Sequence, residues 1–83
     1  MRVLPLAKTA KQKLAKYGLE KKFAKQLETL KKDPRHPSLH TELLEPKKYG
    51  IYSFRLDNKF RALFVYHKNI PAIEILAITK HYE

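Results

Sequence analysis

The stretch from Gly50 to Tyr66, GIYSFRLDNKFRALFVY, limits what this chain can fold into more than any other part of it. It holds two aromatic and β-branched runs separated by Leu56-Asp57-Asn58-Lys59, which is the pattern of two short strands around a turn. Side chains alternate across a strand, so a slip of one residue would exchange the two faces. Pairing Arg55 with Arg61 places Tyr52, Phe54, Leu56, Phe60, Ala62, Phe64 and Tyr66 together, an entirely apolar face. Ser53, Arg55 and Arg61 then share the other face at the loop end, with Ile51, Leu63 and Val65 farther along. Two neighbouring arginines repel unless something anionic sits over them. The pair is therefore either an anion site or two solvated edge charges.

An apolar hairpin face needs a cover, and the N-terminal part of the sequence supplies one. Ala7, Ala10, Leu14 and Tyr17 recur at helical spacing. Gly18 interrupts, and Leu19, Phe23, Leu27 and Leu30 resume the period. Two amphipathic helices joined at one glycine are expected. Lys31 and Lys32 suit the negative end of the second helix, and Asp33-Pro34 stops it. Ahead of the helices, Arg2-Val3-Leu4 reads as a brief strand, with Pro5 suited to a helix start. After them, Arg35-His36-Pro37-Ser38 is a polar connector, and Leu39 to Glu45 reads as a weak strand ended by Pro46. A turn near Lys68-Asn69 precedes a last strand from Ala72 to about Thr79. Strict alternation there puts Ile73, Ile75 and Ala77 on one side and Glu74, Leu76 and Ile78 on the other, and the side bearing Glu74 should not face a closed core. The expected fold class is α+β, a two-layer sandwich with a helical hairpin packed on an antiparallel β-sheet of three to four strands.

At 83 residues, the sequence is expected to form one domain spanning 1–83. Charge is the compositional feature that bears on function. The net value of +10 is unevenly spread, because residues 1–32 hold ten basic and two acidic side chains. Lys8, Lys11, Lys13, Lys16, Lys21, Lys22 and Lys25 fall on the outer faces of the two helices. A polyanionic partner and salt-sensitive binding follow, against the blander reading of a lysine-rich solubilising surface. Absence of cysteine excludes disulfides and thiolate metal sites, and no apolar run approaches a membrane span or a signal peptide's core. A cytoplasmic location and no membrane partner are the expectation.

Most chemical motifs are missing. Gly18 and Gly50 are the only glycines, so there is no glycine-rich phosphate loop. His36 and His40 are four apart, but Pro37 between them breaks the helix that a metal pair would need. His36, His40 and His67 read as structural or exposed. The remaining groups with chemistry are Glu42, Glu45, Arg55, Arg61, His81 and Tyr82. RNA cleavage without a metal requires a base for the 2′-hydroxyl, a cation for the phosphorane and an acid for the departing 5′-oxygen. A carboxylate, an arginine and a histidine have the right chemistry, and a tyrosine can stack on a splayed base. Composition and spacing alone do not assign those roles.

The run DPRHPSLHTELLEPKKYGIYSFRLDNKFRALFVY, followed by IEILAITKHYE, resembles the RelE/ParE superfamily of toxins from toxin–antitoxin pairs. The likeness covers nearly the whole chain, and its specific part is the "YSFR…KFRALF" hairpin with a C-terminal "HY". Within the superfamily it looks nearest to the YoeB-like, ribosome-associated mRNA interferases. The resemblance implies Glu42 as general base, Arg61 as phosphate and transition-state contact, His81 as general acid, and Tyr82 as an aid in placing the base. It implies Arg55, Lys59 and Lys80 as contacts to substrate phosphate, with no metal or other cofactor. Implied partners are a cognate antitoxin in a hetero-oligomer, and mRNA on the ribosome, met through the basic helices. Glu45 is the rival for the place of Glu42. Strict alternation through Tyr82 turns His81 and Tyr82 to opposite faces, whereas a bulge or strand end before Lys80 would let both join Arg61. Gyrase-inhibiting ParE proteins share this fold, so a gyrase inhibitor and a non-catalytic antitoxin-binding module are the alternatives.

Overall fold

A computed structural model describes residues 2–80. The chain runs β1 (Arg2–Val3), α1 (Lys8–Lys16), α2 (Glu20–Lys32), β2 (Glu42–Leu43), β3 (Tyr52–Arg55), β4 (Phe60–His67) and β5 (Ala72–Lys80), with single 3₁₀ turns at Pro37–Leu39 and Lys47–Tyr49. One five-stranded sheet has the order β1-β5-β4-β3-β2. The expected N-terminal strand is therefore present, but it pairs parallel to β5, so the sheet is mixed rather than wholly antiparallel. Among the described residues, no helix is long and apolar enough to cross a membrane.

The hairpin has the register that its side chains dictate. Tyr52, Ser53, Phe54 and Arg55 lie opposite Phe64, Leu63, Ala62 and Arg61. Phe54, Leu56, Phe60, Ala62 and Phe64 are buried under the helices, where they meet Ala10, Leu14, Leu19, Phe23 and Leu30. Phe23 reaches Phe54 with ring centroids 6.2 Å apart, and Tyr17 covers Phe60 at 4.9 Å. Such aromatic pairs add about 0.5–1.5 kcal/mol each beyond the area they bury.

Gly18 reverses the helical hairpin with a φ of +64°, a conformation in which a side chain is strained. The Gly18 N–H donates to the Ala15 carbonyl at 3.2 Å and the Leu19 N–H to the Leu14 carbonyl at 2.8 Å, while both leucines are buried. These paired bonds and the apolar contact close a helix end that would otherwise leave carbonyls unsatisfied.

Three local expectations change. The first helix begins at Lys8 with Ala7 at its N-cap, so Pro5 precedes the helix instead of opening it. Leu39 belongs to a 3₁₀ turn and is completely buried, which takes it out of the strand expected from Leu39 to Glu45 and leaves only Glu42–Leu43 paired to β3. In β5 the register shifts between Leu63 and Phe64 of β4, which face Ala77 and Ile75, so Leu76 is left as an extra residue. Ile78 consequently joins Ile73 and Ile75 in the core at 2% exposure, and Leu76 is 42% exposed. The bulge buries a large β-branched side chain and leaves Ala77 on the other face, a better use of core volume than strict alternation offers.

Candidate functional site

Arg61 sits on the sheet face away from the helices and is only 7% exposed. A buried guanidinium needs acceptors, and the strand pairing supplies them. Its Nε donates to Ser53 Oγ at 2.8 Å, and Nη2 donates to the Ser53 carbonyl at 3.2 Å and to the His40 carbonyl. Ser53 is the cross-strand neighbour two residues from the Arg55–Arg61 pair and is itself buried. His40 presents its carbonyl from a left-handed conformation, φ 44°, at the end of the first 3₁₀ turn. Burial pulls the Arg61 pKa down, the charge of Glu42 pushes it up, and Arg55 pulls it down again. An arginine remains charged under any such shift, so the cation is locked in place rather than switched.

The two arginines take different partners. Arg55 turns toward its own loop, donating from Nε to the Asp57 carbonyl at 3.3 Å and from Nη2 to Asn58 Oδ1. Asp57 organises that loop. Its Oδ1 accepts from the N–H groups of Lys59 and Phe60, both at 2.8 Å, and its Oδ2 pairs with Lys22 of α2 at 3.0 Å. Burial pushes the Asp57 carboxyl up, but the Lys22 ammonium and those two N–H groups outweigh it and hold the carboxyl below its ordinary range.

A cleft of about 420 Å³ opens over Arg61, lined by Glu42, Leu44, Ser53, Leu63, Thr79 and Lys80. Glu42 reaches it because β2 pairs Glu42 with Ser53, and Thr79 because β5 pairs it with Arg61. The residues expected to form a site thus divide. Glu42, Arg61 and Lys80 come together around one cleft, whereas Arg55 is held in the hairpin turn and Lys59 is exposed there. Glu45 is exposed beyond the end of β2 and does not line the cleft. His81 and Tyr82 lie outside the described residues. A fixed guanidinium beneath an open cleft can hold a phosphodiester, and a carboxylate beside it can accept a proton from a neighbouring hydroxyl. No group of three or more His, Asp and Glu side chains gathers among the described residues.

Three contributors are not evident from the sequence. Ser53 and the His40 carbonyl hold Arg61, and Gln26, 8% exposed on α2, donates through Nε2 to the Ser38 carbonyl at 3.0 Å and the Arg55 carbonyl at 2.8 Å. Gln26 therefore ties the His40 loop to the hairpin. A single amide at helical spacing between Phe23 and Leu30 is the signal that could have marked it.

No family model matches the sequence, and no curated protein matches it. Solved structures do. A YoeB/ParE toxin from Agrobacterium tumefaciens superposes with a TM-score of 0.77 at 15% identity, over 99% of this chain and 100% of that one. This is the fold of the YoeB/ParE toxins. A copper-bound mutant toxin from Helicobacter pylori matches with a TM-score of 0.76 at 19% identity, over 98% and 96% of the two chains. The toxin fold recurs in a heterotetrameric YoeB-YefM toxin-antitoxin complex from Staphylococcus aureus, with a TM-score of 0.72 at 19% identity over 99% and 100%.

Proposed function

We propose that the chain is the toxin of a type II toxin–antitoxin pair and cleaves mRNA on the ribosome, in the cytoplasm and without a metal ion. The observation that carries this reading is the buried, triply bonded Arg61 beneath a cleft that Glu42 and Lys80 also line. The YoeB/ParE fold supports it, and the YoeB-YefM complexes support an antitoxin as protein partner.

In this reading Glu42 takes the proton of the 2′-hydroxyl as its oxygen attacks phosphorus. Arg61 binds the non-bridging oxygens as charge gathers on the phosphorane. His81, directly after Lys80 in the sequence, donates a proton to the departing 5′-oxygen, and Tyr82 stacks on the neighbouring base. The products are a 2′,3′-cyclic phosphate and a 5′-hydroxyl. Lys80 at the cleft, with Arg55 and Lys59 at the hairpin tip, extends the electropositive track for flanking phosphates.

The test is induction of the chain alone, with mapping of RNA ends. Wild type should arrest growth and produce 5′-hydroxyl ends in translated mRNA. Glu42→Gln and His81→Ala should slow cleavage about a hundredfold or more, as expected for loss of a general base or acid, while still binding antitoxin. Arg61→Ala should abolish cleavage, with circular dichroism confirming that it folds. Intact mRNA together with trapped gyrase–DNA complexes would replace this reading with that of a gyrase inhibitor.

A further inference from the structure

On the other face of the sheet from Arg61, a cavity of about 530 Å³ lies between the loop after α2 and the far end of the hairpin. Its sheet side is formed by Tyr52 and Tyr66, both half-buried. Tyr52 stacks on Phe64 with centroids 5.6 Å apart and meets Tyr66 edge-on at 5.4 Å, so each ring is fixed from behind while part of it remains open to the cavity. Its loop side is formed by Arg35, His36 and His40, with Pro34 and Pro37 between them. No carboxylate lines it.

The walls are preformed. Two prolines restrict the backbone, and the loop is closed by bonds from the His36 N–H to the Asp33 carbonyl and from the Leu39 N–H to the His36 carbonyl. Gln26 holds the Ser38 carbonyl, Arg61 holds the His40 carbonyl, and Leu39 is sunk in the core. Asp33, the one acidic residue between positions 33 and 41, accepts the Arg35 backbone N–H at 3.2 Å. Among the described residues the Arg35 guanidinium has no ion-pair partner. His36 Nδ1 accepts the Ser38 N–H at 3.1 Å, which leaves Nε2 as the protonated, donating nitrogen. Burial, together with the nearby Tyr52, pushes the Tyr66 phenol up, so it remains a neutral donor.

We propose that this cavity is a second binding site whose ligand is a nucleotide, with the base against Tyr52 and Tyr66 and the phosphate against Arg35 and His36. The volume is within the range of small-ligand sites, aromatic walls suit any base, and a guanidinium free of carboxylates suits a phosphate. A recess lined by Lys22, Lys25 and Arg55 is a poorer candidate, because Lys22 and Arg55 are committed to the Asp57 turn and the Asp57 carboxylate also lines it. The site is separate from the cleft over Arg61 and does not depend on mRNA cleavage.

The full chain, labelled with ¹³C and ¹⁵N, is titrated with adenosine 5′-monophosphate, with inorganic phosphate, and with a short single-stranded RNA carrying 2′-O-methyl groups so that it cannot be cleaved. Saturable shifts are expected at the amides of Arg35, His36 and His40 and at the rings of Tyr52 and Tyr66, with phosphate alone about tenfold weaker because it cannot stack. Arg35→Ala, an exposed change that leaves the core intact, should weaken nucleotide binding about tenfold. Glu42→Gln, which alters only the cleft on the other face, should leave it unchanged, so failure of the cleavage reading and failure of this site are told apart. Tighter binding of the RNA than of the mononucleotide through these residues assigns the ligand to a strand, and equal binding assigns it to a free nucleotide. Absence of shifts at these residues with adenosine 5′-monophosphate up to about 10 mM and with the RNA, or binding unaffected by Arg35→Ala, overturns the proposal.

Discussion

Gln26 shows how one side chain can determine where another sits. Its amide satisfies the Ser38 and Arg55 carbonyls at once, which fixes the loop whose His40 carbonyl accepts from Arg61. Replacing it with an apolar residue of similar size strips both acceptors while preserving volume. Gln26→Leu is therefore expected to cost about 1–3 kcal/mol in urea unfolding, from two carbonyls left short of donors. Under the proposed function it should also slow RNA cleavage, because Arg61 loses a firm partner. A variant as stable and as active as wild type would contradict the role. Sequence pattern readily separated the arginines from the aromatic residues of the hairpin, because alternation in a strand is strict wherever one face is apolar throughout. It did not reveal Gln26, Ser53 or the His40 carbonyl, because such contacts join residues 8 to 29 positions apart and depend on the final packing of loop on sheet.

At the scale of the element, β5 and the β3–β4 turn behave differently from a regular hairpin sheet. The extra residue in β5 puts Ile78 inside and Leu76 outside, although both are even-numbered positions in the same strand. Ile78→Ala should cost about 2–5 kcal/mol as a buried large-to-small change, and Leu76→Ala less than about 1 kcal/mol. Equal costs would mean that β5 has no bulge. No local sequence signal marks the bulge, since AIEILAIT alternates acceptably either way and only the volume of Ile78 against that of Ala77 decides. The turn carries a pH dependence. The folded Asp57 carboxyl titrates below its unfolded value, so the folded state binds fewer protons between the two. Its stabilisation is complete above the ordinary aspartate pKa of about 4 and is lost as pH falls through the lower folded value. The stability gap between wild type and Asp57→Ala, about 1 kcal/mol at neutral pH, should close as the solution is acidified below about pH 4. A gap that stays constant to pH 2 would show that the carboxylate charge contributes nothing.

Over the whole molecule, the fold separates most of the charge from the cleft over Arg61. The helices cover the aromatic face of the sheet, and the cleft over Arg61 opens on the opposite face. Most of the net charge of +10 therefore lies in the helical layer, away from the cleft. Under the proposed function, a lysine in that layer would contribute to binding a polyanion by releasing counterions, a long-range term, without touching a phosphodiester held over Arg61. Lys11, Lys13 and Lys21 are exposed and, among the described residues, have no ion-pair partner, so their replacement disturbs no internal contact. Changing all three to glutamine should reduce the slope of log affinity against log salt for ribosomes by about 2–3, because each phosphate contact contributes about 0.7–0.9. The cleavage rate of a saturating short RNA should remain within about twofold of wild type, because Glu42, Arg61 and their partners are untouched. An unchanged salt slope would remove the helical layer from the docking surface. A cleavage rate that fell along with the slope would mean that the two faces are not separate, and that the lysines contribute to the chemistry through the body of the sheet.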